Sequence, residues 1–202
     1  MCSNRVLLLS ALGIALLGSP AMAGTWALVG NAAYGIPTGD WSDRWDPAAN
    51  YGAGVEYDVD KQLTIGADFA TMKCDPSDAY QTQLDQYSLT GKTFTTTRYG
   101  AYVKWSALKN SRKMTPYFKA GVSLYDLQDD VTIPSIGKEG SMTAIGPNGG
   151  IGFLYWPGAK LGLGLEGTYH FPIADETKIA FDSTPYWSLG ASVCLKLGKK
   201  TE

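Results

Sequence analysis

Charge is scarce in this 202-residue sequence: Asp, Glu, Lys and Arg make up 18% of it, against roughly 25% in an average soluble protein. One histidine and three cysteines are too little material for the usual Cys/His transition-metal centre. The formal net charge is −2, and no basic stripe runs through the chain, which argues against nucleic acid as a partner. Beyond residue 23 no apolar run is long enough for a spanning helix, and no long stretch keeps a 3.6-residue period with caps. Glycine (24 residues) and aromatics (12%) are plentiful instead, the opposite of a disordered composition.

Residues 1–23 read as a secretory signal. Arg5 supplies the basic start, residues 6–17 the apolar stretch, and Ala21-Met22-Ala23 a small-x-small cleavage site. The apolar stretch falls short of the roughly 20 residues that span a bilayer. Gly24 stands where a lipoprotein would need Cys. The expected mature domain is 24–202. It keeps Cys74 and Cys194, and with Arg5 gone from the 17 basic residues its net charge against 19 acidic ones is −3.

Throughout 24–202 the recurring pattern has period two. Trp26-Leu28-Gly30-Ala32-Tyr34-Ile36 is one apolar row; Tyr99, Ala101, Val103 and Trp105 form another, opposed by Arg98, Gly100, Tyr102 and Lys104. Eight such segments occur, mostly about ten residues long, the length of a tilted strand that crosses a bilayer. Long connections (37–50, 73–92, 128–142, 172–186) alternate with short ones (59–62, 108–115, 157–160). This predicts an all-β, eight-stranded antiparallel up-and-down transmembrane β-barrel with its long loops facing outward.

Aromatics mark the expected edges of the wall. Trp26, Tyr57, Trp105 and Tyr155 fall at the inner strand ends, and Tyr34, Tyr51, Phe69, Tyr169, Phe171 and Trp187 at the outer ends, all on the apolar face. Two such girdles suit headgroup levels. An alternative is a secreted lipocalin-like barrel, because Gly24-Thr25-Trp26 resembles the lipocalin Gly-x-Trp start. A water-facing wall would be rich in Lys and Glu, whereas the polar face here is mostly Gly, Ser, Thr and Asn.

By parity, Glu56, Asp68, Arg98, Lys104, Lys119, Glu166 and Lys196 point into the lumen. Eight strands leave only side-chain room, so opposite charges should pair and plug it. If Met72 and Phe94 mark the outer strand ends, Arg98 sits opposite Asp68, with Glu166 as a second acceptor. Glu56 is then the nearest acid to the three lysines. Small lumen positions such as Gly100 should accept a hydroxyl.

Little chemistry is expected. His170, the only histidine, faces the lumen about 13 Å along the strand from Glu166, too far for a direct hydrogen bond. No local His-x-Ser pairing occurs, since Phe171 and Pro172 follow His170, and the sequence does not place the candidate nucleophiles Ser183 and Ser188. Cys74, in an outer loop, and Cys194, low on the last strand, are too far apart for a disulfide. Asp40, Asp43, Asp46, Asp75, Asp78, Asp129 and Asp130 lack the spacing of a calcium loop. No catalytic residue, metal or cofactor is expected. Trp41 and Trp45 either meet a partner outside or cap the barrel mouth.

The stretch Tyr34-Gly35-Ile36-Pro37-Thr38-Gly39-Asp40-Trp41 is similar to the Gly-x-Pro-x-Gly-Asp-aromatic corner after the first strand of small outer-membrane barrels. Ser188-x-Gly190-x-x-Val193-x-Leu195 resembles their final-strand assembly signal, although the chain ends in a polar tail, 198–202, rather than a terminal Phe. The mature chain thus resembles the OmpA/OmpX-like outer membrane protein beta-barrel family. That resemblance implies a monomer in the outer membrane of a Gram-negative bacterium, surrounded by outer-membrane lipids and lipopolysaccharide and inserted by the barrel assembly machinery. The implied role is structural or surface-interacting. A small-solute channel and a lipid-modifying enzyme are the alternatives.

Overall fold

Alternating side chains place one row of each strand on either side of a sheet, and an apolar outer row with a small, polar inner row lets that sheet close on itself. The computed structural model describes residues 24–87, 89, 93–106, 113–129, 140–173 and 184–197. The expected signal, Asp130, Ser183 and the polar tail lie outside the described residues. The strands are β1 (Thr25–Pro37), β2 (Ala48–Asp58), β3 (Leu63–Cys74), β4 (Phe94–Ser106), β5 (Met114–Asp129), β6 (Gly140–Tyr155), β7 (Leu161–His170) and β8 (Tyr186–Leu197). Each pairs antiparallel with its neighbours in sequence, and β1 closes on β8.

The register sets the shape. Following directly paired positions from Trp26 leads through Tyr57, Ile65, Val103, Ala120, Gly149, Tyr169 and Trp187 back to β1 at Ile36, ten residues beyond the start. A ten-residue stagger over eight strands tilts them by roughly 40° from the barrel axis. Leu28, Val55, Val103, Val122, Ile151 and Leu165 all stand exposed on the outer face. A continuous apolar wall of that kind is stable only against hydrocarbon.

At the inner end the described turns are short. Asp60 Oδ1 accepts from the Gln62 and Leu63 N–H groups at 2.6 and 2.8 Å, which closes the β2–β3 turn locally. Trp156, in the β6–β7 turn, folds back against Ala27, Val29 and Cys194.

The outer end is built differently. After β1 the corner turns at Gly39, whose φ of +63° explains the glycine, and a short 3-10 turn follows at Gly39–Trp41. The second long connection is not irregular throughout: it contains a helix, α1 (Asp78–Gln86), capped by Ser77, whose Oγ accepts from the Tyr80 N–H at 3.4 Å. Period counting overlooked it because the helix is short and buries only Leu84. The first two outer loops are tied together. Trp45 bridges to Pro76, the Asp46 N–H donates to the Asp75 carbonyl at 2.9 Å, and the Ser77 N–H donates to the Arg44 carbonyl at 2.8 Å. Cys74, expected in the outer loop, is the last residue of β3 and is fully buried; it and Cys194 are free thiols.

Candidate functional site: the filled lumen and its outer cap

The centre of the lumen is a charge network with a local two-fold arrangement. On one side Tyr102 of β4 lies across Gly66 of β3 and donates to Glu56 Oε1 of β2 at 2.8 Å. On the other, Tyr117 of β5 lies across Gly152 of β6 and donates to Glu166 Oε2 of β7 at 2.8 Å. A Cβ on either glycine would stand 2.4 Å from the tyrosine Cζ, so each phenol reaches its carboxylate only because the intervening strand has no side chain there.

Lys104 and Lys119 sit directly opposite each other on β4 and β5, a repulsive placement for two cations. They separate by reaching to opposite glutamates: Lys104 Nζ to Glu56 Oε1 at 2.5 Å, and Lys119 Nζ to Glu166 Oε1 at 2.8 Å. Each ammonium also faces a tyrosine ring: Lys119 Nζ is 4.3 Å from the Tyr102 centroid and Lys104 Nζ is 4.7 Å from that of Tyr117. Thr168 Oγ1 donates a further bond to Glu166 at 2.8 Å.

Arg98 Nη2 meets Asp68 Oδ2 at 2.9 Å, and Lys119 Nζ is 3.6 Å from the same oxygen. The pairing is diagonal. Asp68 lies opposite Gly100, and Arg98 opposite Ala70, two residues away from the register expected from Met72 and Phe94. The reason is that β3 runs on to Cys74, which is the residue paired with Phe94. Glu166 serves the two lysines rather than the guanidinium. Lys196 goes to Asp58 at 2.9 Å, not to Glu56. Asp58 lies on the inward face but was left out of the expected set. Parity places Tyr102 inward with Lys104, and Tyr117 inward with Lys119, and assigns neither a role; the glycine opposite each on the neighbouring strand is the signal that finds them.

Four carboxylates and four cations thus pair within the lumen. A cavity of about 40 Å³ remains between Asn31, Asn50, Asp68, Arg98 and Ser188, enough for a few waters. Gly100 has no spare room: a Cβ there would meet Asp68 Oδ1 at 2.5 Å and Ser123 Oγ at 2.7 Å.

Above the charges the interior turns aromatic. His170 is buried, stacked on Tyr186 with centroids 4.4 Å apart, and its Nδ1 lies 3.2 Å from the Tyr125 hydroxyl. Trp41 and Trp45 are each 1% exposed, which decides between the two readings of these residues: they cap the mouth. Trp41 packs edge-on against Phe94 and Tyr186, and Trp45 against Phe94 and Tyr80. Met72, Cys74, Leu127 and Met142 complete the cap.

The outer-wall aromatics follow parity with one exception. Tyr34, Tyr51, Phe69, Trp105, Tyr155, Phe171 and Trp187 are exposed; Trp26 and Tyr169 are half-buried. Tyr57 lies on the outward face but is only 5% exposed. The Trp26 ring covers it at 4.9 Å, and the Gly24 N–H donates to its hydroxyl oxygen at 3.0 Å. Tyr99, Phe118 and Phe153 are exposed aromatics that the expected girdles omitted.

A closed eight-stranded up-and-down barrel with an apolar wall and a filled polar lumen defines a small outer-membrane barrel protein. A family model for the outer membrane protein beta-barrel domain matches residues 9–193, and the chain belongs to that family. Among solved structures it is similar to Neisserial surface protein A, at 17% identity and a TM-score of 0.65, covering 85% of this chain and 97% of that one. The N-terminal beta-barrel domain of Pseudomonas aeruginosa OprF matches at 11% identity and a TM-score of 0.56, over 86% and 97% of the two chains. Ail, the attachment invasion locus protein of Yersinia pestis, solved with the heparin analogue sucrose octasulfate, matches at 12% and 0.51, over 86% and 100%. A comparison with curated proteins finds no match. The protein resides in the outer membrane of a Gram-negative bacterium.

Proposed function

We propose that the protein is a sealed, non-catalytic outer-membrane barrel that acts through surfaces outside its lumen: the lipid-facing wall and the packed outer loops. The filling of the interior carries this reading. Charge pairs occupy the middle and an aromatic cap the outer mouth, so the lumen offers no route for a solute. His170 supports the absence of catalysis in a positive way. Its imidazole faces the lumen, beneath the cap and against Tyr125 and Tyr186, on the wrong side of the wall to reach a lipid. The tied outer loops supply a firm surface for contacts outside the cell, and names such as surface protein A and attachment invasion locus among the similar folds fit that role. The barrel works as a monomer, with β8 as the segment read at assembly.

Purified protein in a planar bilayer tests the reading. The expected record shows no steady current. A large, stable conductance from the unmutated protein would replace this reading with the small-solute channel.

A further inference from the structure

The outward face changes character partway up one side of the barrel. On β3 the last apolar outward residue is Phe69; Thr71 and Lys73 follow it. The direct cross-strand partners of these two continue the change. Thr71 pairs with Thr97, Thr97 with Asp126, and Asp126 with Thr143; one step higher, Lys73 pairs with Thr95, Thr95 with Gln128, and Gln128 with Ser141. All eight side chains are exposed or half-exposed on the wall side. Together they form a curved grid of two rows on four neighbouring strands of the closed barrel, with columns about 4.8 Å apart. Five of the eight carry hydroxyls. Threonine on a strand has a stiff χ1, so its hydroxyl is presented with little entropy to lose. Among the described residues the one side-chain hydrogen bond within the grid is Gln128 Nε2 to Asp126 Oδ2, at 3.3 Å.

The height of the grid identifies what touches it. Sharing the ten-residue climb over eight strands, Thr71 stands roughly 7 Å below Ile173, just beyond β7, where the wall is still apolar. Phe171, Ile173 and Ile145 are all exposed on that side. The lower row on β3 and β4 therefore lies level with apolar wall on the opposite side, inside the headgroup layer and continuous with the lipid-facing surface. We infer that the grid is a docking surface for the saccharide headgroup of lipopolysaccharide in the outer leaflet. Its chemistry fits sugar hydroxyls: hydroxyl, amide and carboxylate groups at close, regular spacing. With Lys73 as its one cation, it does not fit a site built to clamp phosphate.

The test compares thermal midpoints, read by heat-modifiable gel migration, in lipopolysaccharide bilayers and in phosphatidylethanolamine/phosphatidylglycerol bilayers. The unmutated protein should gain several degrees in lipopolysaccharide, and dephosphorylated lipopolysaccharide should preserve most of that gain. The double variant Thr97→Val, Thr143→Val keeps side-chain shape and removes two hydroxyls. It should match the unmutated midpoint in phospholipid and lose at least half of the lipopolysaccharide gain. Thr82→Val, on the exposed outer helix, should keep the gain and serves as the control. No gain in the unmutated protein, a gain that vanishes on dephosphorylation, or a gain unchanged in the double variant would each overturn the proposal. None of these outcomes bears on conductance, so this surface can fail while the sealed-barrel reading stands.

Discussion

The outer part of the barrel interior is filled by rings and the middle by charges, and the two fillings obey different rules. The cap draws Trp41, Trp45 and Tyr186 from loops and strand ends, and holds them by apolar burial and edge-on ring contacts. Such packing tolerates no hole, but its ring carbons need matching shape rather than a particular partner atom. The network below draws every charged group from regular strand positions, each with a stated partner atom. There the geometry must be specific, because a buried charge without its partner is costly. The interior of a narrow barrel can thus be filled by shape or by complementarity, and this one uses each where the backbone supplies the right material. Loops can bring large rings inward over a mouth, whereas strands can present small residues and charges at fixed spacing.

The sharpest way to break the cap is Trp41→Ala. Removing a fully buried indole leaves a hole that the tied loops cannot close, so a loss of about 3–5 kcal/mol is expected. Denaturant unfolding in detergent or vesicles measures it. The loss should be nearly independent of salt, since no charge is involved. A cost below about 1 kcal/mol would mean the loop lifts away easily and the cap is loose.

The network should break more gently and differently. Arg98→Ala removes the main partner of Asp68, a change that costs about 3–5 kcal/mol when no other cation is near. Lys119 is already 3.6 Å from the same carboxylate oxygen and can move closer. The expected loss is therefore nearer 2–3 kcal/mol, below that of the cap. A companion Lys119→Met should make the two losses non-additive, because they share one carboxylate. Strict additivity would separate the two residues into independent sites.

These two regions also differ in how far they were legible in the sequence. Strand parity has period two, so the inward direction of Arg98, Lys119 and Glu166 could be read directly. Partner choice could not, since it depends on register, and register depends on where pairing stops. Taking Met72 rather than Cys74 as the partner of Phe94 moved Asp68 by two residues. The Tyr102 and Tyr117 bridges escaped because reaching two strands away needs glycine between, a condition visible only when three strands are aligned. The cap was still less legible. Trp41 and Trp45 lie in connections with no period, and whether a loop aromatic turns in or out is decided by what receives it. The short helix α1 was missed for a related reason, since nine mostly solvated residues leave almost no apolar pattern.

Gly100→Ser probes how tightly the network is filled. From the sequence a hydroxyl there looked tolerable, but the new Cβ would press on Asp68 and Ser123. A cost of about 1–2 kcal/mol is expected, the range for adding atoms to a packed interior. It should shrink when Ser123 is also changed to Gly, since that removes one of the two clashing groups. An unchanged stability for Gly100→Ser alone would show the lumen to be looser than the contacts indicate.

The smallest effect is expected at the β2–β3 turn of the inner end, which a single exposed carboxylate closes locally. The β2–β3 turn depends on Asp60, whose carboxylate accepts from the Gln62 and Leu63 N–H groups. These two bonds hold the Asp60 carboxyl below its ordinary value of 3.8. A carboxyl depressed in the folded state binds its proton more readily in the unfolded chain. Its stabilising contribution is therefore full above the unfolded value and is lost as pH falls through the folded one. Asp60→Asn keeps an oxygen acceptor but removes the titration. The unmutated protein should be slightly the more stable at neutral pH, and the gap should close as pH drops below about 4. The lumen carboxylates are common to both proteins, so their own titration cancels in the difference. A gap that stays constant across this range would mean that the charge on Asp60 contributes nothing to the turn, and that the amide oxygen serves equally well.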